Sequence, residues 1–140
     1  MFLPSKSLRR KLDALSENIA SFVLIKTTIH DNDNVHRRID PVNHLKPNGD
    51  ISSAAYSDPS MSTDLERLTT IEKTMKGYVG FGLVSLPVAF LKEECSQEVR
   101  HRPLFCNRAH SLVVGKKKNR IKQLIKQMGN RNILVKPSPK

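Results

Sequence analysis

Apolar residues near the start of the chain recur with the period of an α-helix. Four of them stand at i, i+4, i+7 and i+11: Leu8, Leu12, Leu15 and Ile19. With Ser7 available as the N-cap, this spacing predicts an amphipathic helix over residues 7–20. Residues 22–29 (FVLIKTTI) are rich in β-branched side chains, and they predict a strand.

Residues 30–60 break this pattern because turn-forming residues follow one another along the segment. Asp-Pro occurs at residues 40–41 and 58–59, and Pro-Asn-Gly-Asp at residues 47–50. Such sequences interrupt helices and strands, and a loop of this length is unusual in a compact domain. We therefore expect a mobile loop over residues 30–60, with a short ordered piece near residues 51–56.

A helical pattern returns after this loop. Thr63 and Glu66 have the spacing of a capping box, and Gly77 stands where helices commonly end in a left-handed residue. The apolar face of this element consists of Leu65, Leu68, Ile71 and Met75. These features predict a second helix over residues 63–76.

The second half of the chain contains several short apolar segments. Residues 78–91 contain no charged residue. They predict a buried strand or a bent pair of strands, with Pro87 at the bend or at a sheet edge. Further strands are predicted at residues 111–114 and 132–136. Between these two strands, apolar residues stand at i, i+3, i+4 and i+7: Ile121, Leu124, Ile125 and Met128. They predict a third helix over residues 116–128.

The succession of elements favours an α+β fold, in which a small antiparallel sheet carries two or three helices and one long polar loop. At 140 residues, the chain has the length of one domain. We expect residues 1–98 to form a mixed α/β core and residues 99–140 to form a basic C-terminal region of the same domain.

Charge is distributed unevenly between these two regions. Residues 1–98 contain 12 Lys/Arg and 13 Asp/Glu, whereas residues 99–140 contain 12 Lys/Arg and no acidic residue. A solvated surface normally mixes both signs, because like charges repel. The carboxylate-free C-terminal region therefore predicts a polyanion as the binding partner.

The basic helix is the predicted binding element. Residues 116–120 (KKKNR) lead into it, and cations on a rigid helix can follow a phosphate backbone. Base stacking is expected to be weak, because Phe105 is the only aromatic residue after residue 98. We therefore predict nucleic-acid binding of low sequence specificity, with RNA favoured over DNA. The predicted contacts are Lys116, Lys117, Lys118, Arg120, Lys122, Lys126, Arg131, Arg100, Arg102 and Arg108.

A metal site is a separate hypothesis. Both cysteines and two histidines form the pattern C-x5-H-x4-C-x3-H: Cys95, His101, Cys106 and His110. Two thiolates and two imidazoles can hold zinc in a closed tetrahedral site. The pattern lacks the closely spaced cysteine pair with which common zinc fingers begin, so the alternative is that the cysteines are small buried apolar residues. Zinc is the one cofactor that the sequence suggests.

Catalytic patterns are missing from the sequence. It contains no G-x-S-x-G, no G-x-x-x-x-G-K and no H-E-x-x-H motif. The histidines and aspartates of residues 30–40 fall in the predicted loop, whereas catalysis requires groups that are held by a packed shell. We therefore predict that the protein is not an enzyme.

Two other functions share the same charge pattern. A peripheral, matrix-like assembly protein, such as a viral accessory or structural protein, could bind an anionic membrane through Arg9, Arg10 and Lys11. A small structural component of a ribonucleoprotein would also be basic, although usually along its whole length. Self-association into a homo-oligomer stays open as a further interaction.

The expected location is intracellular, in the cytoplasm, the nucleus or both. The segment KKKNR fits the short basic pattern of a nuclear localisation signal. The N-terminus lacks the pattern of a secretory signal, and the longest charge-free stretch, residues 77–91, is shorter than the roughly 20 apolar residues that a transmembrane helix needs.

Overall fold

The computed structural model describes residues 25–138. Within that range the strands are β1 (Asn34–Ile39), β2 (Ser60–Leu65), β3 (Gly82–Pro87), β4 (Glu98–His101), β5 (His110–Val114) and β6 (Ile133–Val135). The α-helices are α1 (Ile71–Met75), α2 (Val88–Glu93) and α3 (Asn119–Arg131). Short 3₁₀ helices span Ser53–Tyr56 and Glu66–Leu68.

All six strands belong to one antiparallel sheet with the order β4-β5-β2-β1-β3-β6. The predicted α+β class, with an antiparallel sheet and three helices, is therefore confirmed. β1 lies near the middle of the sheet, and β4 and β6 are the edge strands. Strands from the C-terminal region thus occupy both edges of the same sheet.

One face of the sheet is apolar and carries most of the helical structure. Its buried side chains include Val35, Ile39, Met61, Leu65, Val84, Leu86 and Val113. Leu91 of α2, Ile125 of α3 and Tyr56 of the first 3₁₀ helix pack against this layer. Successive side chains of a strand point to opposite faces of the sheet, so the residues between these apolar positions point to the other side.

The opposite face of the sheet is polar and carries α1. His36 and Arg38 of β1 and Asp64 of β2 lie on it, and His36 and Asp64 are register partners. Thr74 of α1 is buried there and donates its hydroxyl hydrogen to Asp64, with 3.1 Å between the oxygens. The sheet therefore separates an apolar core from a buried polar cluster.

The expectation of a continuous loop over residues 30–60 is wrong, because this segment contains β1. β1 pairs with β3 along its whole length. Arg37, which points to the apolar face, is accommodated because its guanidinium donates to the carbonyl oxygens of Ala55 and Ser62, each at 3.0 Å. The short ordered piece near residues 51–56 is confirmed by the 3₁₀ helix Ser53–Tyr56.

The predicted helix over residues 63–76 is also wrong before Ile71, because residues 63–65 belong to strand β2 and Glu66–Leu68 form a 3₁₀ helix. Thr63 caps no helix; its hydroxyl donates to the carbonyl oxygen of Ser111 on the paired strand at 3.2 Å. The helix begins at Ile71, and Thr70 is its N-cap, accepting from the backbone N–H of Lys73. Residues 60–63 alternate between exposed and buried side chains, which is the two-residue period of a strand, and this period outweighs the capping-box spacing.

The remaining predictions agree more closely with the structure. The strands predicted at residues 111–114 and 132–136 are β5 and β6. The strand or pair of strands predicted over residues 78–91 is confirmed only for β3, because residues 88–91 belong to α2, and Pro87 lies at the junction of the two elements. The third helix is displaced from its predicted bounds, 116–128, to Asn119–Arg131 because Lys118 has an extended backbone and forms the N-cap.

The beginning of the chain is only partly described. Residues 25–29 of the strand predicted at 22–29 pair with no other strand. The helix predicted at residues 7–20 lies outside the described residues. In residues 25–138, no helix has the length and apolar character needed to cross a membrane.

Gly129 allows α3 to approach the sheet closely. A Cβ atom at this position would lie 2.5 Å from Oη of Tyr56 and 3.6 Å from Cγ2 of Val84. Tyr56 is fully buried, so its ring cannot move aside into solvent. Glycine is unfavourable inside a helix. It stands at this position because any side chain would push α3 away from the core.

We expect Gly129→Ala to lower the free energy of unfolding by up to about 2 kcal/mol, because an overpacking cost of up to about 3 kcal/mol exceeds a helix-propensity gain of about 1 kcal/mol. Tyr56→Phe removes the atom that lies closest to the new methyl group. In that background, Gly129→Ala should be neutral or stabilising. Denaturant unfolding of the four proteins in this double-mutant cycle measures the effect; equal losses in both backgrounds would contradict it.

Candidate nucleic-acid interface

Helix α3 has an apolar side on the sheet and an outer side of amide residues. Ile125 and Gly129 are buried, and they fix the inner side of the helix. Successive residues are 100° apart around a helix, which aligns the exposed amide residues along the opposite side. We name this row the amide crest: Asn119, Gln123, Gln127 and Asn130.

The cations of α3 lie on the two flanks of this crest. Lys122 and Lys126, which are one turn apart and half-buried, occupy one flank. Arg120 and Arg131, which are eleven residues and therefore three turns apart, are exposed on the other flank. The sequence predicted a face of ammonium and guanidinium groups; the structure instead places a row of amides between two pairs of cations.

Residues from outside α3 extend the Lys122–Lys126 flank. The ammonium of Lys46 approaches that of Lys126 closely enough to lower the pKa of Lys126, an effect that burial increases and Asp50 partly opposes. Lys126, Asp50 and Lys136 also line one cavity of about 420 Å³. Lys46 and Lys136 were not among the predicted contacts, because no local sequence pattern connects either of them to α3.

Most of the predicted contacts have no carboxylate partner within the described part of the chain. Of the ten, Arg100 alone forms a salt bridge there, with Glu98 at 2.8 Å on the surface. Other carboxylates pair elsewhere: Asp64 with Arg38, Asp33 with Arg67 and Asp31 with Lys92. The cations beside the amide crest therefore form no salt bridge within residues 25–138, although Asp50 lies near Lys126.

Lys117 points into the protein and is only 8% exposed. Its ammonium donates to the carbonyl oxygens of Val113 at 3.0 Å and Gly115 at 3.2 Å. Burial lowers the pKa of Lys117 to about 8, with Arg37 adding to the decrease and Asp58 opposing it. Lys117 is thus not placed for a phosphate contact, whereas its neighbours Lys116 and Lys118 are exposed.

The three remaining predicted arginines are far from α3 in the sheet. Arg100 lies on edge strand β4, and Arg102 and Arg108 lie in the connection between β4 and β5. α3 packs instead on β3, toward the other edge. The ten predicted contacts therefore do not form one surface. The alternative membrane contacts Arg9, Arg10 and Lys11 lie outside the described residues.

The four candidate zinc ligands serve other contacts. His101 accepts from the backbone N–H of Thr27 at 2.9 Å and donates to the carbonyl oxygen of Arg108 at 2.6 Å. His110 donates to the carbonyl oxygen of Arg102 at 2.8 Å. Both rings thus stabilise the hairpin formed by β4 and β5.

The two cysteines lie in different environments. Cys95 is buried and Cys106 is exposed, and burial, together with Glu94, raises the pKa of the Cys95 thiol to about 11. A raised thiol pKa opposes the thiolate that zinc binds. In residues 25–138, no group of three or more His, Cys, Asp or Glu side chains is placed to hold a metal ion. The zinc hypothesis stays a prediction.

The buried ammonium of Lys117 leads to a pH-dependent stability. The folded protein releases this proton near pH 8, whereas an ordinary lysine retains it until about pH 10.5. Between these values the unfolded state binds more protons, so stability rises with pH across this window. Relative to Lys117→Met, the wild-type free energy of unfolding should gain up to about 3 kcal/mol from pH 8 to pH 10.5.

Urea unfolding at a series of pH values measures this gain. Lys118→Met is the matched control, because Lys118 is exposed, and its pH profile should run parallel to the wild-type profile. A Lys117→Met profile that is also parallel to wild type would contradict the buried position of this ammonium.

The comparisons with known proteins give no independent indication of function. No family model, curated protein or solved structure matches the chain. The candidate site is therefore α3, which lies on the apolar side of the sheet. Its amide crest stands between two flanks of cations that form no salt bridge with the described residues.

Proposed function

We propose that this protein binds nucleic acid without catalysis, as an accessory or structural protein, and that α3 is its binding element. The observation that carries the proposal is the placement, on both sides of the amide crest, of cations that form no salt bridge within residues 25–138. Two rows of phosphates border a groove of duplex nucleic acid. A helix that enters such a groove needs cations on both flanks and hydrogen-bonding side chains between them.

The dimensions of α3 favour duplex DNA as the ligand. The major groove of B-form DNA is about 12 Å wide and admits an α-helix, which is about 10–12 Å in diameter with its side chains. The major groove of A-form RNA is too narrow and deep for side chains to reach the bases. The proposal therefore favours duplex DNA, whereas the sequence alone favoured RNA.

Affinity should come mainly from the phosphates, and sequence preference should be modest. The flank cations, with Lys116 and Lys118 at the N-terminal end of α3, contact phosphates, and phosphate contacts carry no direct sequence information. Gln123 and Gln127 on the crest can pair with the edges of bases, adenine above all. A single helix that presents only amide side chains to the bases discriminates weakly between base sequences.

The dependence of affinity on salt tests the proposal. Each phosphate contact contributes about −0.9 to the slope of log affinity against log salt concentration on B-form DNA. Lys122→Gln/Lys126→Gln should therefore reduce the slope by about 1.8, and Arg120→Gln/Arg131→Gln should do the same. Fluorescence anisotropy with a labelled DNA duplex over a series of salt concentrations measures each slope.

The matched control is Lys73→Gln/Lys76→Gln, which removes the same charge from the polar face of the sheet. Both lysines are exposed, and the slope of this variant should equal the wild-type slope. If the control loses as much slope as the α3 variants, binding depends on net charge and not on α3. If the protein binds an RNA duplex more tightly than a DNA duplex, the preference for DNA is wrong, but the proposal that α3 binds nucleic acid is not.

A further inference from the structure

A second basic site lies on the polar face of the sheet, on the side opposite to α3. It is a cavity of about 460 Å³. Arg38 and Asp64, from β1 and β2, form its floor. One wall is built by residues 68–78, which include α1, and the other by residues 106–108 of the β4–β5 connection.

Asp64 joins the floor of this cavity to both walls. Its Oδ2 accepts from Nη2 of Arg38 at 2.6 Å and from Oγ1 of Thr74 at 3.1 Å, and its Oδ1 accepts from Nδ2 of Asn107 at 2.8 Å. The residue is 1% exposed. Its negative charge is therefore engaged inside the protein and is not presented to a ligand.

Arg38 is held in a fixed orientation at the floor. Its Nε donates to the carbonyl oxygen of Thr74 at 2.7 Å, and its Cζ lies 4.3 Å from the centroid of the Tyr78 ring. Tyr78 in turn makes an edge contact with Phe81, with 5.0 Å between ring centroids. A guanidinium fixed in this way loses little conformational entropy when an anion binds.

Three further cations line the two walls, and in the described part of the chain none of them forms a salt bridge. Lys73 and Lys76 belong to the α1 wall, and Arg108 belongs to the opposite wall. All three are exposed. Four cations and one carboxylate thus surround the cavity, and the salt bridge of Arg38 with Asp64 leaves an excess of three positive charges.

We propose that this cavity binds a phosphomonoester group. Such a group carries a charge of about −1.5 to −2 at neutral pH and has three terminal oxygens, which match several cations that converge from two walls. Lysines bind phosphate as point charges, and arginine binds it with two parallel hydrogen bonds. The volume lies within the range of small-ligand sites, about 300–1,000 Å³, so the cavity has room for the molecule that carries the phosphate.

Exposed apolar residues beside both walls favour a lipid headgroup as the source of the phosphate. Val79, next to Tyr78 in the α1 wall, is 87% exposed, and Phe105, next to Cys106 in the other wall, is 68% exposed. Apolar side chains around a headgroup site can enter the bilayer interface. The same chemistry would recognise a soluble phosphorylated polyol, which the experiment separates from the lipid.

Calorimetric titration of the full chain with myo-inositol 1-phosphate tests the site, with myo-inositol as the unphosphorylated control. We expect saturable binding of the phosphate alone. Lys73→Gln/Lys76→Gln should weaken it by about tenfold or more, and Arg120→Gln/Arg131→Gln, the matched pair on α3, should leave it unchanged. No saturable binding by the wild type, or an unchanged affinity in Lys73→Gln/Lys76→Gln, would overturn the proposal.

Vesicle flotation separates the two sources. Phosphatidylcholine vesicles that contain phosphatidylinositol 4-phosphate should bind the protein more tightly than vesicles that carry equal charge as phosphatidylserine. Val79→Ser/Phe105→Ser should reduce this binding and leave the titration with myo-inositol 1-phosphate unchanged. Equal binding to both kinds of vesicle would overturn the lipid source. The α3 variants leave this cavity unchanged, and the Lys73→Gln/Lys76→Gln variant leaves α3 unchanged. A failure of the phosphate site is therefore distinguishable from a failure of nucleic-acid binding.

Discussion

The polar side of the sheet depends on one buried carboxylate, that of Asp64. It accepts hydrogen bonds from Arg38, Thr74 and Asn107, and so connects two strands, α1 and the β4–β5 connection. A buried ion pair is costly to break, because removing one partner leaves an uncompensated charge in a poorly solvated place. The buried salt bridge between Asp64 and Arg38 is therefore the interaction that holds the cavity together.

The parts of the fold that the sequence predicted are those with a strong local pattern. β5, β6 and most of α3 follow from short apolar runs and from helical spacing. β1 was missed because two arginines stand where a strand usually has apolar residues, and because turn formers surround it. Its identity as a strand depends on pairing with β3, more than forty residues away in sequence, which no local pattern encodes.

The candidate sites were predictable only in outline for the same reason. The carboxylate-free C-terminal region predicted α3 as the binding element, which stays a prediction, and it did not reveal that Lys117 is buried or that amides occupy the crest. Lys46 joins the flank of α3 only through the folded chain. The cavity proposed to bind a phosphomonoester combines residues 38, 64, 73–76 and 106–108, and no segment of the sequence contains more than a fraction of that set.

The two proposed sites lie on opposite faces of one sheet, so a single molecule could hold two different anions at once. The measurement that tests the α3 interface most directly is a titration of the isotope-labelled protein with a DNA duplex, followed by NMR. The side-chain amide signals of Gln123 and Gln127 and the backbone signals of α3 should shift saturably, while those of residues 69–78 stay in place. Shifts confined to residues 69–78, with α3 unchanged, would contradict the account.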